Sequence, residues 1–372
     1  MGLSDKTLRQ SVYNQLSLRD LGLWLGLLPQ QKSTIPMAFS REDVQEGPKT
    51  FTVTRWMPLF MISGLTFAVL LPCYLLFTKF WPLGMLPIAW LAYDWNTHSQ
   101  GCRRSAWVRN WTLWKYLRNY FPVKLVKTHD LSSNHNYIIA SHPHGIFSYG
   151  TFINFATEAT GFAKIFPSIT PSVGTLEGFF WMPILRDFVM SLGTCPVSDS
   201  SLKYMLTQKG LGNAVVIVVG GAAEVLLTRP GETVLFLKQR KGFVKLALKT
   251  GAHIVPSYSF GENDIHQYVN FPEGTWMGFF QKIFQNTCKT FLGTSFRGFC
   301  GQGLTRGSWG FLPLSRPITT VVGEPLPIPK IENPDMKTVD KYHTLYINAL
   351  HKLFERYKVE CGFPENQELT II

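Results

Sequence analysis

Apolar residues are not spread evenly along this 372-residue chain. Residues 57–78 (MPLFMISGLTFAVLLPCYLLFT) hold 22 positions without a charge, and at about 1.5 Å rise per residue a helix of that length covers ~33 Å, enough to cross bilayer hydrocarbon. After Lys79 a second run, 80–93 (FWPLGMLPIAWLAY), is too short for an upright span and reads as a re-entrant return leg. Pro58, Pro72, Pro82 and Pro87 suit a bent hairpin, and Trp56, Trp81 and Trp90 mark membrane–water interfaces. Both flanks are basic, with Lys49 and Arg55 before the hairpin and Arg103 and Arg104 after it, so both ends are expected in the cytosol. Residues 103–121 set Trp107, Trp111, Trp114 and Phe121 along one helical stripe, interrupted by Arg118. That pattern predicts a helix lying on anionic lipid, with a core helix packing its tryptophans inward as the alternative.

Beyond Pro122 short apolar runs alternate with longer mixed ones, the pattern of an α/β domain. Strands are predicted at 136–141, 193–197, 214–219, 254–260 and 318–322, and helices at 152–163, 178–191, 199–208, 234–250, 276–292 and 336–358. The last closes the domain, with Val339, Tyr342, Tyr346, Leu350, Leu353 and Tyr357 near helical spacing. The final residues, ENQELTII, read as a loose tail. The chain thus divides into a cytosolic N-terminal segment (1–50), a membrane-embedded helical hairpin (51–95) and a cytosolic-facing domain (96–372).

A net charge of +12 makes anionic partners the expectation. Lipid and phosphorylated cofactors fit, and nucleic acid ranks last because neither a zinc finger nor an RNA-binding aromatic signature is present. The six cysteines form no CxxC pair, so reduced thiols are expected, and neither a metal site nor a disulfide framework is.

Two apolar runs end in residues suited to chemistry. YIIASHPHG ends in His142, Pro143, His144 and Gly145, and AVVIVVGGAAE ends in Gly220, Gly221 and then Glu224. In a parallel sheet the carboxyl ends of strands share an edge, so these residues can meet in one crevice. An imidazole oriented by a carboxylate is a general base for a hydroxyl, contributing roughly 10²–10⁴ in rate. Gly145, Gly220 and Gly221 would let backbone N–H groups approach a developing oxyanion. Zinc on the two histidines lacks further ligands, and Glu224 could instead be a carboxylate favoured by a helix N-terminus. A second cluster, LKQRKGFVKLALKTGAHIVPSYSFGEND, gathers Arg240, Lys241 and Lys245 around a helix start at Gly242, an arrangement that calls for an anion such as a phosphorylated cofactor. No serine sits in a GxSxG elbow, so direct transfer to an activated alcohol is simpler than a covalent intermediate.

The blocks YDWNTHSQGCRRSAWVRNW, HPHG, PSVGTLEGFFWMP, GNAVVIVVGGAAE, RKGFVKLAL, VPSYSFGEN and PITTVVGEPLPIP, in this order, resemble the type-2 diacylglycerol acyltransferase family, which also holds monoacylglycerol and wax-alcohol acyltransferases. The resemblance implies an α/β fold, a glycerolipid-acyltransferase-like sheet flanked by helices and preceded by the membrane hairpin. It implies acyl-CoA-dependent esterification of diacylglycerol or another lipid alcohol at the endoplasmic reticulum membrane and lipid droplets, with acyl-CoA as co-substrate and no bound cofactor. By position, His142 to Gly145 is the active-site signature, His144 the base and Glu224 its orienting partner. Arg240, Lys241, Gly242 and Lys245 would hold the coenzyme, and Phe260, Gly261, Glu262 and Asn263 would border the site. The wider superfamily sets an aspartate five residues after its histidine; here those positions are Phe147 and Tyr149, so the orienter comes from elsewhere. A homo-oligomer is left open, and the different-class alternative is an inactive lipid-droplet scaffold.

Overall fold

The structure, a computed structural model, describes residues 64, 67, 70–268, 274–292, 299–303, 309–310 and 312–372. Twelve strands lie among them: β1 (Lys124–Lys127), β2 (Tyr137–His142), β3 (Thr170–Thr175), β4 (Thr194–Pro196), β5 (Asn213–Val218), β6 (Val234–Leu235), β7 (His253–Phe260), β8 (Gln267–Tyr268), β9 (Phe299–Gln302), β10 (Trp309–Gly310), β11 (Thr319–Val322) and β12 (Thr370–Ile371). Seven form the main sheet in the order β1-β11-β7-β2-β5-β3-β4. The block β7-β2-β5-β3-β4 is parallel throughout, while β11 runs antiparallel to β7 and parallel to β1.

Helices cover both faces of this sheet, which is why its central strands are apolar at every position rather than at alternate ones. All six residues of β2 are buried. Its odd members, Tyr137 and Ile139, enter one core with Val216, Val255, Trp114, Phe155 and Phe162. Its even members, Ile138 and Ala140, enter the other with Val215, Ile254, Val244, Leu248, Tyr346 and Leu350. The second core is closed by helix Met336–Tyr357, whose start is capped by Asp335 accepting from the Thr338 N–H at 3.0 Å.

The predicted central strands recur within a residue or two, and β1 and β3 are additions. Lys124 and Lys127 bracket the four-residue β1, and β3 carries Pro171 and Gly174, residues that ordinarily interrupt strands. Several expected helices are shorter or different. The 152–163 stretch is a π-helical turn, Phe152–Ala156, continuing helix Tyr149–Thr151, and it stops where Thr157 is extended and its hydroxyl turns back to the Ile153 carbonyl at 2.5 Å. Pro183 splits 178–191, leaving helix Leu185–Ser191. The 234–250 stretch is not one helix. Val234 and Leu235 form β6, and only Gly242–Thr250 is helical. The tail expected to be loose is paired: Thr370 and Ile371 lie parallel to β6, and the N–H groups of Leu237 and Lys238 donate to the Ile372 carbonyl at 3.0 and 2.9 Å.

The lipid-facing tryptophan stripe of 103–121 is also corrected. Its main helix, Thr112–Tyr120, buries Trp114 completely, and Phe121 behind it is equally buried, because the helix packs on the sheet. Trp107 alone of that stripe is strongly exposed, at 73%.

Most of the first apolar leg lies outside the described residues. Residues 71–75 are helical and the chain then turns into helix Trp81–Tyr93, which lies back against them at Gly84, where a Cβ would sit 2.8 Å from the Pro72 carbonyl oxygen. Trp81, Leu83, Leu86 and Trp90 are exposed on it. A second apolar face is exposed on helix Trp276–Leu292, with Trp276, Phe279, Phe280 and Ile283 at helical spacing. No helix among the described residues is long and apolar enough to cross a membrane.

Gly261 ends β7 with φ +87°, and a Cβ there would fall 2.2 Å from the Pro317 carbonyl oxygen. Replacing it by alanine therefore adds left-handed strain to a backbone clash. The Gly261→Ala protein is expected to lose at least about 2 kcal/mol of stability, read as a lowered unfolding midpoint in thermal scanning; an unchanged midpoint would contradict this account of the turn.

Candidate active site

The register of the sheet brings three chain crossings together. Ser141 of β2 pairs with Val218 of β5 on one side and Ser257 of β7 on the other, and all three strands point the same way. The residues that follow these strands, Pro143–Gly150, Gly220–Glu224 and Gly261–Asn263, leave the sheet at its carboxyl edge, the edge expected to carry ligands in such folds.

Between β2 and the next helix the chain makes a tight loop, Pro143 to Tyr149, with Gly145 at φ +57° and Ser148 at φ +49°. Two buried glutamates hold its ends. Glu224 accepts the His144 N–H on Oε1 at 2.6 Å and the Phe236 N–H on Oε2 at 3.0 Å. Glu262 accepts the Tyr149 N–H at 2.6 Å and the Gly150 N–H at 2.7 Å. Neither carboxylate is appreciably exposed, at 0% and 1%. Burial pushes both up to about 7, although two N–H donors each, and Arg240 beside Glu224, pull the other way. Inside the loop the Ser148 hydroxyl donates to the His144 carbonyl at 2.6 Å.

Sequence reasoning gave Glu224 the imidazole of His144 to orient. The carboxylate instead grips the main chain of His144, because its helix starts immediately after β5 and turns the side chain back over Gly220, where a Cβ would lie 2.2 Å from Oε2. Gly220 is thus required for space, and Gly221 takes φ +59° close to the Arg240 guanidinium. The ring of His144 has its own contact: Nδ1 lies 3.1 Å from the Gly145 carbonyl oxygen. A carbonyl only accepts, so Nδ1 carries the hydrogen and Nε2 the lone pair. Burial holds the His144 ring below the usual imidazole range, opposed by the contact with Gly145.

His142, expected at the same crevice, is inside the protein. It is 0% exposed, its Nε2 lies 2.9 Å from the Tyr346 hydroxyl, and its Nδ1 has no hydrogen-bond partner among the described residues. The alternation of β2 explains this, since its side chain falls on the face covered by helix Met336–Tyr357. Burial lowers its pKa to about 3. The His142–Pro143 peptide is cis.

The remaining candidates divide. Arg240 lies over the Phe236 ring at 5.1 Å, next to Gly221 and Glu224. Lys241 pairs with Asp340 of the closing helix at 2.6 Å, and Gly242 and Lys245 are exposed. Phe260 does not border an opening: it is 1% exposed and packs on Tyr258, Phe354 and Phe363. Asn263 donates to the Glu232 carbonyl at 3.0 Å. Pro143, Gly261, Glu262 and Asn263 do line a small common recess. The holding role of Glu262 and the contact of Tyr346 with His142 were missed from sequence. An acid placed directly after a strand-ending glycine was the available signal for Glu262.

A profile described as diacylglycerol acyltransferase matches residues 73–372. Diacylglycerol O-acyltransferase 2-like protein 6 of Homo sapiens is 71% identical over 333 residues, covering 90% of this chain and 99% of its own length. Acyl-CoA wax alcohol acyltransferase 2 of Homo sapiens is 48% identical, covering 90% and 99%. Diacylglycerol O-acyltransferase 2 of Danio rerio is also 48% identical, covering 91% and 92%. Among solved structures, the 1-acyl-sn-glycerophosphate acyltransferase PlsC from Thermotoga maritima covers 82% of this chain and 97% of its own at 10% identity and a TM-score of 0.37, too slight a likeness to bear on the reading. The family profile spans residues 73–372 and the sequence relatives cover about nine-tenths of the chain, so the chain belongs to the diacylglycerol acyltransferase family.

Proposed function

We propose that the chain catalyses acyl transfer from acyl-CoA to the hydroxyl of diacylglycerol, with His144 as general base. The observation that carries this is the state of one ring: Nδ1 of His144 faces a carbonyl, so Nε2 offers its lone pair at the carboxyl edge of the sheet. Nε2 takes the hydroxyl proton as the alcohol oxygen attacks the thioester carbonyl. The tetrahedral intermediate then expels the coenzyme as thiolate, which recovers the proton from His144, leaving triacylglycerol and free CoA. Glu224 and Glu262 position the base by fixing its loop. The N–H groups of Gly145, Gly220 and Gly221 are the proposed oxyanion donors, and Arg240, Lys241, Gly242 and Lys245 the proposed coenzyme-binding residues, of which Lys245 and Gly242 are the exposed pair.

The acceptor has a second reading. The chain is as close to a wax alcohol acyltransferase as to a diacylglycerol O-acyltransferase, each at 48% identity, so a long-chain alcohol is the alternative and monoacylglycerol a third. A membrane position, at the endoplasmic reticulum and lipid droplets, is part of the proposal. It is supported by the uncharged 57–78 run, the return at Gly84 and the exposed apolar helices.

Purified full-length protein given radiolabelled oleoyl-CoA with diacylglycerol, monoacylglycerol or hexadecanol should yield triacylglycerol as the main labelled product. Wax ester as the main product would move the assignment to alcohols, and no product from any acceptor would favour the inactive scaffold. The His144→Gln variant should lose about 10²-fold or more in kcat at an unchanged unfolding midpoint; full turnover would remove His144 from the mechanism.

The pH response follows from the same ring. The neutral imidazole is the active form, and burial lowers its proton affinity, so protonation sets in only below the ordinary value of 6.5. The acid limb of kcat/KM governed by His144 should therefore have its midpoint under pH 6.5. A midpoint above that value, displaced by no substitution at His144, would speak against this base.

A further inference from the structure

A cavity of about 710 Å³ that shares no lining residue with the histidine loop lies between the segment that follows the apolar helix Trp81–Tyr93 and the 158–164 turn. Its wall is cationic. Arg104, Lys115, Arg118 and Lys164 line it, against one acid, Glu158. That acid is already committed: Oε1 accepts from Arg104 at 3.0 Å and from Arg109 at 2.9 Å, and Oε2 accepts the Ala163 N–H at 3.2 Å. Two guanidiniums share one carboxylate, leaving one positive charge over. Arg118 donates to the Ala159 carbonyl and the Asn119 side chain, both neutral. Lys115 and Lys164 are exposed and enter no ion pair among the described residues. The Thr160 hydroxyl, also in the wall, is buried without a hydrogen-bond partner among the described residues. Surplus positive charge beside an unused hydroxyl is the chemistry of a phosphate site.

The surroundings indicate where the phosphate comes from. Trp107, on the short helix between Arg104 and Asn110, is 73% exposed. Arg103, adjacent to Arg104, sits over the Trp90 ring at 5.0 Å, and Trp90 belongs to the exposed apolar helix. Exposed tryptophans next to Arg and Lys mark the headgroup level of a bilayer. The cavity is also far roomier than an inorganic phosphate needs and falls in the size range of organic ligands.

We infer that this cavity binds the phosphate headgroup of an anionic glycerophospholipid, holding the domain at a set height and orientation on the membrane. This goes beyond the acyl-transfer reading and is measured without turnover, so either can fail while the other stands.

The test titrates purified full-length protein in neutral detergent with dihexanoyl phosphatidic acid, dihexanoyl phosphatidylcholine and coenzyme A, by calorimetry. Phosphatidic acid should bind at least severalfold more tightly than phosphatidylcholine. The double variant Lys115→Gln/Lys164→Gln, which removes two exposed unpaired cations, should weaken phosphatidic acid about tenfold while coenzyme A affinity stays within about twofold. Ala163→Glu, which adds a carboxylate to the wall and removes no side-chain contact, should weaken it comparably. Unchanged phosphatidic acid affinity in both variants overturns the inference. Loss of coenzyme A affinity with phosphatidic acid unaffected also overturns it, and assigns the cavity to the coenzyme's phosphates.

Discussion

Two carboxylates that water cannot reach determine the shape of the loop on which the chemistry is proposed to occur. A buried carboxylate must find hydrogen-bond donors or lose several kcal/mol, and Glu224 and Glu262 find theirs in main-chain N–H groups, those of His144, Tyr149 and Gly150 at the two ends of one loop and that of Phe236. Main-chain donors cannot change rotamer, so the contacts hold backbone and not merely side chains. The left-handed Gly145 and Ser148 then have no slack to relax into. His144 is consequently placed from beneath, and among the described residues its ring has no acidic partner, its Nδ1 facing the Gly145 carbonyl instead. This arrangement differs from an imidazole–carboxylate dyad, and it accounts for the absence of an acid at Phe147 and Tyr149: the acid holding the loop reaches Tyr149 through its N–H instead.

The sheet makes that possible because β7, β2 and β5 are neighbours running in one direction, and their following turns open onto one edge. That much was legible in the sequence. Unbroken apolar runs ending in HPHG, GGAAE and FGEN state that three buried strands stop at polar, glycine-led turns. What stayed hidden depends on distance in space. His142 and His144 look alike in sequence, yet the pleat of β2 sends the former into the core beside Tyr346, about two hundred residues further along. Trp114 and Phe121 are equally consistent with lipid and with a core until the sheet they pack on is known. The strand at 370–371 carries too few residues to be recognised without its partner at 234–235. Glu262 reads as one acid in a polar turn until Gly145 and Gly150 are seen to make room around it.

Charge and apolarity meet at one place on the surface. Helices Trp81–Tyr93 and Trp276–Leu292 each carry a run of exposed apolar residues, and a cation-lined cavity lies close to the first of them, beside the exposed Trp107. Part of the net charge of +12 is concentrated at that cavity, in Arg104, Lys115, Arg118 and Lys164.

The contacts that hold the loop join residues 80, 113 and 112 positions apart in the chain. Closing loops of that length is among the slower and later events in forming a parallel sheet. A nascent or partly opened chain can hold native helices and still have no fixed imidazole, so the reactive geometry exists only in molecules whose central strands have all docked. On the proposed mechanism, acyl transfer is thus tied to completion of the fold, and a half-assembled copy would have no fixed base with which to consume thioester.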